Sequence, residues 1–354
     1  MSSTEHTELP AYEAPDRNAH GRLDDTGDVY EMLDDAHEAL AHAGNAYEAL
    51  NDGDDPRWAY GTGFADPLAG VDTRVPDGVD GADLAAYCLM LGDDALIMSH
   101  RLQEWCTRAP ELEEEVALAN IALDLLGQAR LLLARAGTAD GSGRDEDALA
   151  FRRDAGEFRN VLLAEVPNGD FAEAMARLLV FATWRLALLE RLTGSRDPVL
   201  AAVAVKGVKE VAYHRDYAAG WVVRLGDGTS YSRERAVAGL AAVWPLVTEL
   251  FTPHEVELRL ASAGAGADPS ALREGFDDVL GQVLTAATLT RPTDTTFTQS
   301  SDTTLTRPTD TTFTLPRDTA PGRPAGRSGT HTAALTDLLA EMQSVARAHP
   351  DATW

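Results

Sequence analysis

The sequence predicts an all-α protein organised round four long helices, and three observations carry that expectation. From Ala82 to Cys106 the residues Leu84, Tyr87, Leu91, Ala95, Met98, Leu102 and Trp105 recur at spacings of three and four, the pattern of a helix with one buried stripe. The stretch from Pro110 to Ala136 is apolar on nearly every face, which predicts a helix enclosed by others. Asp170 and the pair Asp197-Pro198 are placed to open two further long segments, because an aspartate accepts from the orphan amides of a first turn and proline fits the first helical position.

In chain order, residues 1–81 carry 19 acidic and 4 basic residues with glycine and proline clusters, so most of this extension reads as disordered. One island differs: Tyr30, Leu33, Leu40, Tyr47 and Leu50 predict a short amphipathic helix within Val29 to Leu50. The helical domain is expected over 82–287. Gly92 in its first helix costs about 1 kcal/mol against alanine and so predicts a close helix contact or ligand approach. The second helix, Pro110 to Ala136, has Glu111, Glu113, Glu114 and Glu115 in its first turn, Arg130 and Arg135 near its end and Gly137 as its stop. After two short pieces ending in a Pro-Asn-Gly turn come the third helix, Phe171 to Thr193, and the fourth, Val199 to about Leu225. Ser232 is expected to cap the next helix and Pro245 to interrupt it, with Thr252-Pro253 and Asp268-Pro269 opening two more. Residues 288–329 hold TLTRPTDTTFT twice, at Thr288 and Thr304, and read as a Thr/Pro-rich disordered insert. A C-terminal helix over Ala333 to Ala348 follows within 330–354 and is expected to dock back on the bundle.

Composition excludes several functions. A net charge of −27 over 354 residues repels a nucleic-acid backbone. No stretch of 18 or more uncharged apolar residues exists and the N-terminus is acidic and polar, so the expectation is a cytoplasmic protein without a membrane span or secretory signal. Cys88 and Cys106, about 27 Å apart on one helix, cannot pair and read as small core residues. Nucleotide-binding glycine loops, a Gly-x-Ser-x-Gly elbow and HExxH are absent.

A bundle of four helices raises carboxylate-bridged di-iron chemistry, which needs a Glu-x-x-His on each of two helices and a Glu from each of the others. None of the nine histidines has a glutamate three residues before it. Asp124-x-x-Gly127 and Glu210-x-x-Tyr213 stand in the corresponding places, with Glu104 on the first helix and Glu173 or Glu190 on the third, but glycine cannot ligate and tyrosine replaces imidazole poorly. The expectation is no metal in this chain and no catalytic residue. Asn120, Asp124, Gln128, Glu210 and Tyr213 are instead expected to form a buried hydrogen-bond network, with Lys206 or Lys209 as charge partners. His214 on an apolar stripe reads as a satisfied core residue, and Arg152, Arg153 and Arg159 as surface arginines or an anion contact.

Several blocks then add a family resemblance. LGDDALIMSHRLQEWCTRAPELEEEVALANIALDLLGQAR, FRNVLLAEVPNGDFAEAMAR, the run from Ser195 to Thr229 and HTAALTDLLAEMQ resemble the C subunits of multicomponent phenylacetyl-CoA epoxidases, over about 83–290 and 329–354. The resemblance implies a ferritin-like four-helix bundle with additional C-terminal helices and a structural, non-catalytic role. It further implies pairing with a catalytic A subunit that holds the di-iron centre, and a reductase using NADPH, flavin and an iron-sulfur cluster. It places Glu157, Phe158, Arg159 and Asn160 where the CoA ester can be touched. Two alternatives stand beside it: a self-sufficient di-iron oxygenase with ligands drawn from Glu104, Asp124, Glu173, Glu190 and Glu210, and a helical adaptor without substrate contact.

Overall fold

The computed structural model describes residues 68, 70–292, 304–306, 312–314 and 324–352, all within one compact unit that begins at residue 65. The predicted helix at Val29 to Leu50 and the first part of the acidic extension lie outside the described residues.

Four helices make the body: α1 (Gly81–Gln103), α2 (Leu112–Ala139), α5 (Phe171–Leu192) and α6 (Pro198–Gly226), with α3 (Glu146–Phe151) and α4 (Leu162–Glu165) in the crossover between the two pairs. α1 packs along α2 and α5 along α6, and contact between α2 and α6 joins the pairs. Side-chain caps start three of the four: Asp80 accepts from Asp83 N, Asp170 from Glu173 N and Asp197 from Leu200 N. Gly92 marks a close helix contact, since a Cβ there would come within 3.0 Å of Leu133 on α2. α7 (Ser230–Val243) and α9 (Arg273–Ala286) cover α5 and α6, while α8 (Glu255–Ser262) covers α1. Thr229, not Ser232, caps α7, and Pro245 does end it in a 3-10 turn at Trp244–Leu246.

Some boundaries move. Gly137 does not stop α2: the helix runs on to Ala139 because the glycine keeps helical geometry and lets the returning loop press on it. A Cβ at Gly137 would lie 1.8 Å from the carbonyl oxygen of Arg144, whereas one at Gly127 would meet nothing within 4 Å. Gly137→Ala is therefore expected to cost about 1–3 kcal/mol, and Gly127→Ala to stabilise the isolated chain by up to about 1 kcal/mol. Urea titration of the two variants checks the opposite signs.

The Thr/Pro-rich region is less uniform than its composition suggests. Its first copy begins in the body, with Leu289 buried and Arg291 paired to Asp277 and stacked over Trp244. The second copy contributes a short antiparallel ladder, β1 (Thr304–Thr306) with β2 (Thr312–Thr314), in which Leu305 faces Phe313. From Pro324 the chain is fixed again, and Ala325, Gly326 and Arg327 are buried. The C-terminal helix is two pieces, α10 (Ala333–Met342) and α11 (Ser344–Ala348). Cys88 is sealed in α1, but Cys106 lies beyond its end and is exposed, because α1 stops at Gln103.

Candidate functional site: a polar interior and an open helical face

The interior positions where the bundle would hold metal ligands are bonded to one another. Gln128 on α2 donates to Glu210 on α6 at 2.9 Å and accepts from Arg185 Nε on α5 at 3.0 Å, while Arg185 Nη1 reaches the Leu91 carbonyl of α1 at 3.3 Å. The Arg185 guanidinium on α5 thus ties α1 and α2 together at the bundle centre. Burial pulls its pKa down to about 10, against the field of Asp94, and it remains a cation at neutral pH. Lys206 completes the Glu210 end at 2.5 Å. One turn away His214, buried, holds Asp124 at 3.0 Å.

Two members of the expected network do not belong to it. Asn120 is exposed and Tyr213 lies at the surface, because α2 and α6 are uncovered on that side. The other carboxylates are dispersed: Glu104 accepts from Arg101 and Asn168, Glu173 stands in the first turn of α5 beside Gly169, and Glu190 is exposed at the far end of α5. The residues do not fit a di-iron centre. A fixed cation, Arg185, occupies the place where such a centre needs acidic and imidazole donors, and among the described residues no group of three metal-ligating side chains converges.

A second buried polar cluster has no counterpart in the sequence-based expectations. Asp93 and Asp94, adjacent on α1, are both sealed: Asp93 binds Arg153 and the Arg159 amide, and Asp94 takes Arg327 through both oxygens at 2.9 and 2.8 Å plus the Val161 amide at 2.8 Å. Arg327 also donates to the carbonyls of Met90 and Arg159, with Glu257 at 3.8 Å from its Nε. Glu165 takes His331 Nδ1 at 2.6 Å and the Thr332 amide at 2.6 Å, and Glu249 accepts from the amides of Leu162 and Gly326. These acids clamp residues 324–332 onto the loop that follows α3.

His331 is an imidazolium by its partners, since Nδ1 faces a carboxylate and Nε2 the Phe158 carbonyl at 2.9 Å, both of which accept only. Burial depresses its pKa, but Glu165 and the carbonyl outweigh that and raise it above the ordinary value. Its contribution is therefore complete below the unfolded-state pKa and is lost as pH rises through the raised one. Burial lifts Glu249 to about 7, so between its ordinary range and 7 the folded state binds the extra proton and stability also falls as pH rises. Both signs agree: amide protection of residues 324–332, corrected for intrinsic exchange, is expected to be higher at about pH 6 than at about pH 8.5. His331→Gln should flatten the dependence, and equal protection at both pH values would exclude this account.

The segment expected to touch a CoA ester divides. Phe158 is buried under the Arg153 guanidinium at 4.1 Å, and Asn160 is buried with its amide on Glu165 at 2.8 Å, so both are interior supports. Glu157 is exposed and Arg159 half-buried, its Nη1 held by the carbonyls of Gly156 and Phe158. Arg153, expected at the surface, is instead the buried partner of Asp93, because α3 turns its end toward α1.

The largest uncovered apolar feature is the outer face of α2 and α6. Leu112, Val116 and Leu123 on α2 are 71%, 52% and 60% exposed, and Val205 and Tyr213 on α6 are 53% and 38% exposed. Gly127 and Gly220 lie on the same helices with open space above them. α2 is thus not enclosed all round as its composition implied; by length and hydropathy it could cross a membrane, yet its other side carries buried Gln128 and Arg135 in the middle of the bundle.

A ferritin-like helical bundle whose interior polar groups satisfy one another, with one apolar flank left open, defines the class of protein. Residues 72–305 match the family described as phenylacetic acid catabolic protein, and the chain belongs to that family. It is 41% identical over 271 residues, 77% of this chain and 99% of the relative, to the C subunit of the 1,2-phenylacetyl-CoA epoxidase of Escherichia coli strain K12.

Proposed function

We propose that this chain is a structural subunit of a multicomponent phenylacetyl-CoA epoxidase. It pairs through the open face of α2 and α6 with a catalytic subunit that holds the di-iron centre, while a reductase with flavin and an iron-sulfur cluster delivers electrons from NADPH. The observation that carries the reading is the pairing of Gln128, Glu210 and Arg185 at the bundle centre, which leaves this chain's own bundle without a ligand set and favours a partner as the seat of the chemistry. The exposed leucine and valine stripe supports it from outside, since an apolar patch of this kind on a helical pair fits a second helical protein. The surface arginines Arg152 and Arg159 beside Glu157 leave room for an anionic group of the CoA ester at the rim of the assembly.

Co-purification tests the pairing. Tagged catalytic subunit is expected to retain this chain through size exclusion as a stoichiometric complex, and the complex to bind phenylacetyl-CoA more tightly than the catalytic subunit alone. Two proteins that elute separately at micromolar concentration would reject the proposal.

A further inference from the structure

Five aromatic rings form a line from the open face to one end of the bundle. Tyr213 and Tyr217, one turn apart on α6, have ring centroids 6.4 Å apart with planes tilted by 31°. Trp221, on the next turn, meets Phe171 edge-on at 4.9 Å, and Phe171 meets Trp105 edge-on at 5.7 Å. The spacing Tyr213, Tyr217, Trp221 keeps all three on one face of α6 over about 12 Å of helix. The remaining ring contacts among the described residues away from this line, Phe181 with Trp184 and Phe251 with Phe276, are isolated pairs. Edge-on packing accounts for each contact here, but not for four oxidisable rings in sequence with one phenylalanine between them.

The polar surroundings order the line. Trp105 Nε1 has no hydrogen-bond partner, and the buried Tyr217 hydroxyl has none of normal geometry, although Trp221 lies near it; burial raises the Tyr217 pKa strongly. Neither site has an acceptor for a proton. Tyr213, by contrast, is open to water, with the His214 ring beside it. An oxidising equivalent entering the line comes to rest at Tyr213, where the phenolic proton can leave.

We propose that Tyr213, Tyr217, Trp221, Phe171 and Trp105 form a one-electron transfer path between the α2 and α6 face and the end of the bundle beside Cys106. Its use in the cell rests on the pairing proposed above. A one-electron oxidant, formed when the partner activates dioxygen without consuming substrate, takes an electron from Tyr213, and the phenolic proton goes to water. The electron is replaced along the line from Trp105, which a reductant of the thiol or ascorbate class refills with one electron. Tyr213 regains a proton from water, so the net change is reduction of the oxidant and oxidation of that reductant.

Cys106 gives the test its handle, since it is exposed next to Trp105 while Cys88 is sealed. A ruthenium polypyridyl photosensitiser attached to Cys106 of the full chain and flashed with an oxidative quencher removes one electron from Trp105. Transient absorption is expected to show an indole radical converting to a tyrosyl radical. Trp221→Phe and Tyr213→Phe should each cut the tyrosyl yield by an order of magnitude with unchanged circular dichroism, whereas Tyr231→Phe, an exposed tyrosine off the line, should not. A full tyrosyl yield in Tyr213→Phe, or an indole radical in the unsubstituted chain that never converts, overturns the path; Tyr213 lies at the surface, so its variant remains informative even if Trp221→Phe does not fold. Loss of pairing with the catalytic subunit leaves these yields unchanged, so failure of the path and failure of the functional reading are separable.

Discussion

Replacing Arg327 by methionine is expected to destabilise the folded chain by about 3–5 kcal/mol, because it leaves buried carboxylates without their cation. Asp94 loses both guanidinium bonds, Glu257 loses its nearest charge and the carbonyls of Met90 and Arg159 lose a donor. Hydrophobic contact with Trp184, whose ring centre lies 5.8 Å from the guanidinium, is retained by the methionine stem, so the loss isolates the charge. In thermal unfolding the effect corresponds to roughly 6–12 °C in Tm for a domain of this size. The double variant Asp94→Leu, Arg327→Met should recover part of the loss, since an apolar pair of similar volume replaces a buried ion pair at little net cost. Recovery stays incomplete because Asp94 also accepts from the Val161 amide. A single variant within about 0.5 kcal/mol of the parent would show that the cluster is solvated rather than sealed.

The second large effect is on assembly. Leu123→Glu introduces a charge in the middle of the exposed stripe, 60% exposed in this chain, and is expected to change the stability of the isolated chain by no more than about 0.5 kcal/mol. If α2 and α6 meet the catalytic subunit there, the same charge must be desolvated in the complex, and affinity should fall by about 100-fold or more, equivalent to some 2.7 kcal/mol. Val237→Glu, at a half-exposed valine on α7 and off this face, serves as the control and should bind as the parent does. Sedimentation or interferometry at low micromolar concentration resolves the difference. Equal affinities for parent and Leu123→Glu would move the interface elsewhere.

The long helices are legible because their signals are local. Asp170, and Asp197 with Pro198, cap α5 and α6 at the expected positions, and Gly92 marks the contact with Leu133. Less can be read where the deciding partner is remote in sequence. Asp93 and Asp94 interrupt an apolar stripe without any nearby base, and their cations arrive from Arg153 and Arg327, the latter 233 residues away and inside a region whose composition suggests no fixed structure. An adjacent pair of aspartates within an apolar helix is a signal that two distant cations must converge. α2 shows a different limit: periodicity reports which faces are apolar, not whether the same chain covers them, so Leu112, Val116 and Leu123 look like core and are surface. At the interior site, helical spacing points to Gln128, Asp124 and Glu210 but not to Arg185, whose only sign is its place in the middle of an otherwise apolar α5.

The central claim is that this chain organises a reaction carried out by its partner. Iron content and NADPH-driven epoxidation of phenylacetyl-CoA, measured on this chain alone, on the catalytic subunit alone and on the two combined with reductase, test it most directly. The account predicts iron only in preparations containing the catalytic subunit, no turnover by this chain alone, and turnover restored or strongly raised when it is added. A tightly bound di-iron centre in this protein by itself, or full activity of the catalytic subunit without it, would contradict the account.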